Sequence, residues 1–173
     1  MPGNNPFQKP LATIACNFAK EAHYTQNYGN QPYFKHLVAV VSHSSRLVAR
    51  QIGVGHPVAE IIFATAYLHD VIEDTGADEA ILREVFTKAG LSVEEFEPVI
   101  KAVKLLSKNL CPPGEFYLER VMTCPVAHLV KIADTLSNLT ESVRNNDTQR
   151  VTKYAEQLRI LHINPIGSFA HVV

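Results

Sequence analysis

Residues 59–75 read AEIIFATAYLHDVIEDT, and this stretch decides the fold class. Ile61, Ile62, Phe63, Ala64, Leu68, Val71 and Ile72 are spread over nearly every face of a helix, the pattern of a helix buried centrally among others. Into its end come four ionisable groups, His69, Asp70, Glu73 and Asp74. A helix C-terminus already carries partial negative charge, so an acidic exit is not favoured by the dipole. Like charges one turn apart also repel. A chain that keeps such a cluster needs something positive to meet it.

Outward from this stretch, helical periodicity dominates. LATIACNFAKEAHY (11–24) places Leu11, Ile14, Ala15, Phe18, Ala19 and Ala22 on one face. QNYGNQPY (26–33) reads as a turn-rich loop. A second helix is expected from Phe34 or Lys35 to Gln51, stopped by Gly53 and Gly55. His56-Pro57 opens the central helix, with Pro57 suited to its first turn. Further helices are expected at 78–89 and 93–108, then a break at NLCPPGE (109–115), a helix opened by Pro125 over 125–144, and a last one over about 147–162. No segment alternates at period two, and no Asn-Gly or Asp-Gly turn joins two strands. The expected fold is all-α, a compact multi-helix bundle in one domain over 1–173, with its core at about 11–162.

The bulk properties narrow the function classes. A length of 173 residues suits one domain with a real core. The formal net charge of −1 favours neither a nucleic acid polymer nor an anionic membrane. No apolar run is long enough for a membrane span, and MPGNNPFQKPLATIAC has no charged leader followed by an apolar core. Cys16, Cys111 and Cys124, widely spaced and odd in number, fit reduced thiols in a cytoplasmic protein. A homo-oligomer is compatible with the sequence.

The acidic cluster suggests a metal centre. His69 and Asp70 lie about 100° apart on a helix, so an imidazole nitrogen and a carboxylate oxygen can converge on one ion above it. Two more ligands must come from elsewhere. His36, in PYFKH, opens the second helix, and Asp134 lies in HLVKIADTLSNL. There Leu129, Ile132, Leu136 and Leu139 form the expected core face, while Lys131, Asp134 and Asn138 share another. A set of two histidines and two aspartates suits Mn²⁺, Fe²⁺, Co²⁺ or Zn²⁺. Taken singly, each has a blander role: His36 as a capping histidine, Asp134 as the ion-pair partner of Lys131. His43, seven residues after His36, reads as a core histidine.

The ordered set of His36, His69-Asp70 and Asp134 on a helical chain resembles the HD-domain metal-dependent phosphohydrolases. HDVIEDT and LVKIADTLSNL resemble the hydrolase domain of the RelA/SpoT family, especially the small stand-alone (p)ppGpp hydrolases, from about FAKEAH (18–23) to KYAEQL (153–158). The resemblance implies metal ligation by His36, His69, Asp70 and Asp134, with Mn²⁺ the usual ion. It implies that Glu73 and Asp74 handle the attacking water, and that Asn138 and Tyr154, with Lys131 near by, contact a nucleotide substrate. It implies removal of the 3′-pyrophosphate of (p)ppGpp, an HD nucleotidase acting on another nucleotide phosphate being the alternative and a non-catalytic nucleotide-binding module a third. Where the family has a cation in the loop before PY, this chain has TQNYGNQ (25–31) with none, and Thr135 and Thr140 stand at two further positions usually basic. Lys108, Lys131 and Arg144 are the candidates to compensate. No P-loop, dinucleotide fingerprint or synthetase segment is visible, so a bifunctional alarmone synthetase is not expected.

Overall fold

The computed structural model describes residues 10–53, 55–163, 166–170 and 172; residues 1–9, on which the reading of the N-terminus rests, lie outside them. The fold is all-α apart from one very short hairpin. Helices α1 (Leu11–Ala22), α2 (Tyr33–Gln51), α3 (Val58–Leu68), α4 (Val71–Asp74), α5 (Glu79–Lys88), α6 (Val93–Leu106), α7 (Tyr117–Met122), α8 (Pro125–Arg144) and α9 (Thr148–Ile163) follow in order. Strands β1 (Asn27–Tyr28) and β2 (Gln31–Pro32) pair antiparallel, Tyr28 opposite Gln31, within the segment expected to be loop. Gly29 turns the hairpin at φ +59°, where a side chain would be strained.

Helix α3 is the hub, packed against α1, α2, α6 and α8. Its apolar girth explains this: Val58, Ile62, Ala64, Ala66 and Leu68 are all but inaccessible to solvent. Helix α2 in turn packs on α8, and α8 on α9, so the residues that face one another across α2, α3 and α8 lie near the middle of the bundle.

Local chemistry sets the boundaries. Pro125 opens α8, where its missing N–H removes no helical hydrogen bond. Asp78 caps α5, its carboxylate accepting from the Ile81 N–H at 2.9 Å. Glu95 Oε2 accepts from the Ser92 N–H at 2.7 Å at the start of α6. The central helix is not continuous through the acidic cluster. It stops at Leu68, Asp70 sits at φ −102°, ψ −1°, and α4 restarts at Val71. Thr75 ends α4 by returning its hydroxyl to the Val71 carbonyl at 2.6 Å.

Two core assignments change. Leu136 and Leu139 are only half-buried, whereas Asp134, Thr135, Ser137 and Asn138 of the same helix are buried. Part of the inward face of α8 is therefore polar. His43 is likewise half-buried rather than in the core, and lines the groove between α2 and α8. The three cysteines are free thiols. Among the described residues no helix is long and apolar enough to cross a membrane.

Candidate metal centre

Helix α2 contributes His36 from its first turn, the α3–α4 break contributes His69 and Asp70, and the middle of α8 contributes Asp134. His36, His69 and Asp134 are buried, and each offers a ligand atom within 4.8 Å of the other two. His36 Nε2 lies 3.4 Å from Asp134 Oδ1, and His69 Nε2 lies 3.7 Å from it. Asp70 falls outside that triad but borders it. Its Oδ2 is 2.9 Å from His69 Nε2 and 3.8 Å from His36 Nε2.

The surroundings fix each ligand atom. His69 Nδ1 lies 2.9 Å from the Ala66 carbonyl, which can only accept, so Nδ1 carries a proton and Nε2 is turned to the centre. His36 Nδ1 is 3.3 Å from Ser137 Oγ, which leaves its Nε2 facing the same point. Asn138 Nδ2 donates to Asp134 Oδ1 at 2.5 Å, and Lys131 Nζ donates to Asp134 Oδ2 at 2.8 Å. Asp134 thus serves both roles read from the sequence, ion-pair partner on one oxygen and member of the cluster on the other.

The donor set fits a divalent cation. His69 Nε2 is buried and makes no well-directed hydrogen bond, although a carboxylate oxygen is in contact with it. Burial alone would hold this imidazole neutral, yet the Asp70 and Asp134 carboxylates outweigh it and push its pKa up to about 10. Those carboxylates respond in kind: the neighbouring histidines hold Asp70 below its ordinary value against the cost of burial, and Lys131 holds Asp134 well below. Without an ion the His69 proton offsets these carboxylates; an ion would displace it, and two imidazoles with two carboxylates around one point could hold one. Mixed nitrogen and oxygen ligands suit a transition ion.

A tyrosine layer covers the centre. The Tyr28 ring stacks on His36, centroids 4.7 Å apart, and its hydroxyl donates to Asn138 Oδ1. Arg150 Nη2 donates to the same hydroxyl at 2.7 Å, with the guanidinium over the Tyr28 and Tyr154 rings. The Tyr33 hydroxyl lies 2.6 Å from Asp70 Oδ2 and 2.7 Å from Asp74 Oδ2, and its single proton serves one of them at a time. Burial, reinforced by the two carboxylates, keeps that phenol protonated far above its ordinary range.

Beside the centre opens a cleft of about 420 Å³, with His69, Asp70 and Asp134 in its wall. Lys108, Lys131, Lys153, Asn138 and Tyr154 also line it, so all three residues expected to touch substrate are there. Glu73 lines it too, Oε2 accepting from the Lys108 N–H at 2.9 Å. Asp74 does not: its side chain is exposed and turned to Tyr33. The two acids that the sequence pairs are adjacent in α4 yet face different surroundings. Arg144, expected near the substrate, instead lines the α2–α8 groove. Arg150 and Lys153 were missed, although Arg150 stands one turn before Tyr154 on the same helix, a spacing that could have marked it.

A family model for the HD domain matches residues 33–139, from the start of α2 into α8. No curated protein matches the chain. Among solved structures, one described as a metazoan ortholog of SpoT that hydrolyzes ppGpp and plays a role in starvation responses superposes with a TM-score of 0.63 at 19% identity, covering 92% of this chain and 88% of that one. At that identity the likeness shows the fold.

Proposed function

We propose, from the premise that the chain belongs to the HD-domain family, that it is a metal-dependent phosphohydrolase removing the 3′-pyrophosphate from (p)ppGpp-like guanosine nucleotides. The observation that carries the reading is the buried His36–His69–Asp134 triad beside a cleft lined by three lysines. His36, His69, Asp70 and Asp134 would hold the ion, Mn²⁺ being favoured. A bound divalent ion supplies positive charge to a phosphoryl oxygen and acidifies water. Phosphoryl transfer otherwise needs positioning and charge neutralisation, which Lys108, Lys131 and Lys153 are placed to give. Glu73, which lines the cleft next to Asp70, is the group to take a proton from the attacking water. Asp74 acts at one remove, sharing the Tyr33 hydroxyl with Asp70. Asn138 and Tyr154 border the substrate.

A second reading, an HD nucleotidase acting on another nucleotide phosphate, is favoured by the hairpin. Tyr28 fills the space over His36 in a loop without a cation, and Arg150 supplies the positive charge from α9 instead. Metal analysis of the purified protein, followed by assay of a nucleotide panel with Mn²⁺, separates the readings. The first expects pyrophosphate from ppGpp; monophosphate released only from ordinary nucleotides selects the second. Protein that neither retains a transition ion nor hydrolyses any of them overturns both.

A further inference from the structure

Helix α6 ends at Leu106, where the chain turns extended at Ser107 (ψ 104°), and its last carbonyls lose their helical partners. Side chains of α7 replace them. Arg120 Nη2 donates to the Lys104 carbonyl at 3.0 Å, and Nη1 to the Leu105 and Ser107 carbonyls at 3.3 and 3.4 Å. The Tyr117 hydroxyl donates to the Leu106 carbonyl at 2.6 Å. A guanidinium suits this place as a planar fork of donors and as positive charge at the negative end of the helix dipole.

This clamp acts on the cleft. In a helix running on, the Lys108 N–H would donate to the Lys104 carbonyl four residues back. Here Arg120 holds that carbonyl, and the Lys108 N–H donates instead to Glu73 Oε2 at 2.9 Å. Asn109 Nδ2 reaches the Ile72 carbonyl at 3.4 Å, so the peptides at 107–109 are pinned between α7 and α4. Glu73 is exposed, and among the described residues the Lys108 N–H makes the one hydrogen bond that its carboxylate accepts. Without that donor a long, exposed side chain samples many rotamers.

We infer that Arg120 is a positioning residue for Glu73: it holds the end of α6 so that the Lys108 N–H fixes the Glu73 carboxylate at the cleft. The inference rests on the reading of Glu73 as the group that takes the proton. Arg120→Met keeps the bulk of the stem and removes the donors, whereas Arg120→Lys keeps the charge without the fork. In proton–nitrogen correlation spectra of the full chain, Glu73→Gln is expected to move the Lys108 amide proton upfield, a neutral acceptor replacing a charged one. Arg120→Met is expected to move it the same way, with Arg120→Lys in between. With Mn²⁺ and ppGpp, or whichever nucleotide of the panel is hydrolysed, Arg120→Met lowers kcat about tenfold well below its Tm, at unchanged metal content. It adds less than about twofold to Glu73→Gln, because both changes act on one carboxylate. A cap serving stability alone would lower Tm and leave the amide and kcat in place. A Lys108 amide that stays put in both Arg120 variants overturns the inference, as does one that moves while kcat stays within about twofold of the parent. The spectra need no turnover. A parent chain that hydrolyses no nucleotide therefore sinks the phosphohydrolase reading, while the amide still decides whether Arg120 holds Lys108 against Glu73.

Discussion

The substitution that best probes the centre is Asp134→Asn, which keeps shape and removes charge. In the folded protein Asp134 and Lys131 form a shielded pair, 2.8 Å apart, with side chains 7% and 16% exposed. Breaking a buried pair costs about 3–5 kcal/mol, and the partial exposure of Lys131 brings this to roughly 2–4 kcal/mol. For a domain of this length 1 kcal/mol is about 2–4 °C, so the metal-free variant melts roughly 5–15 °C lower. The sign with pH is definite. A carboxyl held below its ordinary pKa in the fold stabilises above about pH 4, so an assay near neutrality sees the whole loss.

That loss alone does not identify a ligand, because a purely structural ion pair would show it too. The discriminating quantity is the response to metal. An ion binding only the native state adds about 2.7 kcal/mol at a concentration one hundred times its Kd, or roughly 5–11 °C here. Scanning fluorimetry of chelated protein with and without Mn²⁺ is expected to show this rise in the parent chain and none in Asp134→Asn. A variant that melts lower yet keeps its Mn²⁺ rise to within a degree would refute Asp134 as a ligand, whatever its effect on stability.

Glu73→Gln is expected to retain metal and lower kcat by about 10²-fold or more, because it removes the cleft carboxylate proposed to take a proton; steady-state kinetics with metal analysis checks both. Tyr28→Phe keeps the ring over His36 and deletes the hydroxyl shared by Asn138 and Arg150, so a stability loss of about 1 kcal/mol with unchanged metal content is expected from denaturant melts. His128 is buried, with Nε2 2.9 Å from the Leu161 carbonyl and Nδ1 unpartnered, and burial holds its pKa down. The unfolded chain therefore takes up a proton below about pH 6.5 that the fold excludes, and stability falls on acidification through that range. His128→Gln should flatten the Tm-against-pH curve there; parallel curves would refute the assignment.

The helices were legible in the sequence wherever packing and local signals agreed. Pro125 and the apolar run behind it place α8 at its observed bounds, and the apolar girth of 58–72 marks the hub. Features settled by tertiary contacts were not legible. The β1–β2 hairpin is too short for alternation to show, and it is tied down at a distance, Gln26 Nε2 donating to the Asp74 carbonyl at 2.5 Å. Helix α7 is six residues just beyond a Pro-Pro-Gly break, where periodicity has too few turns to register. Leu136 and Leu139 looked like core because a leucine row on a helix normally is. Here the site takes that space for Asp134, Ser137 and Asn138.

The break at Asp70 shows why the site had to be read from more than helical spacing. On a continuous helix Glu73 and Asp74 would continue the faces of His69 and Asp70, and four acids and imidazoles would crowd one side. Beyond the break, Glu73 of α4 faces the cleft and its neighbour Asp74 faces Tyr33, while Asp70 stays beside the histidines. Lys131 then meets only one oxygen of Asp134, and the Tyr33 proton satisfies only one of two carboxylates. Without a cation the His69 proton meets the carboxylates; a divalent ion between His36, His69, Asp70 and Asp134 would take that proton's place. Buried charged clusters of this kind contribute little net stability, since apolar groups of the same size are often as good or better. The convergence of His36, His69 and Asp134 on one buried point forms a set that could hold a divalent cation.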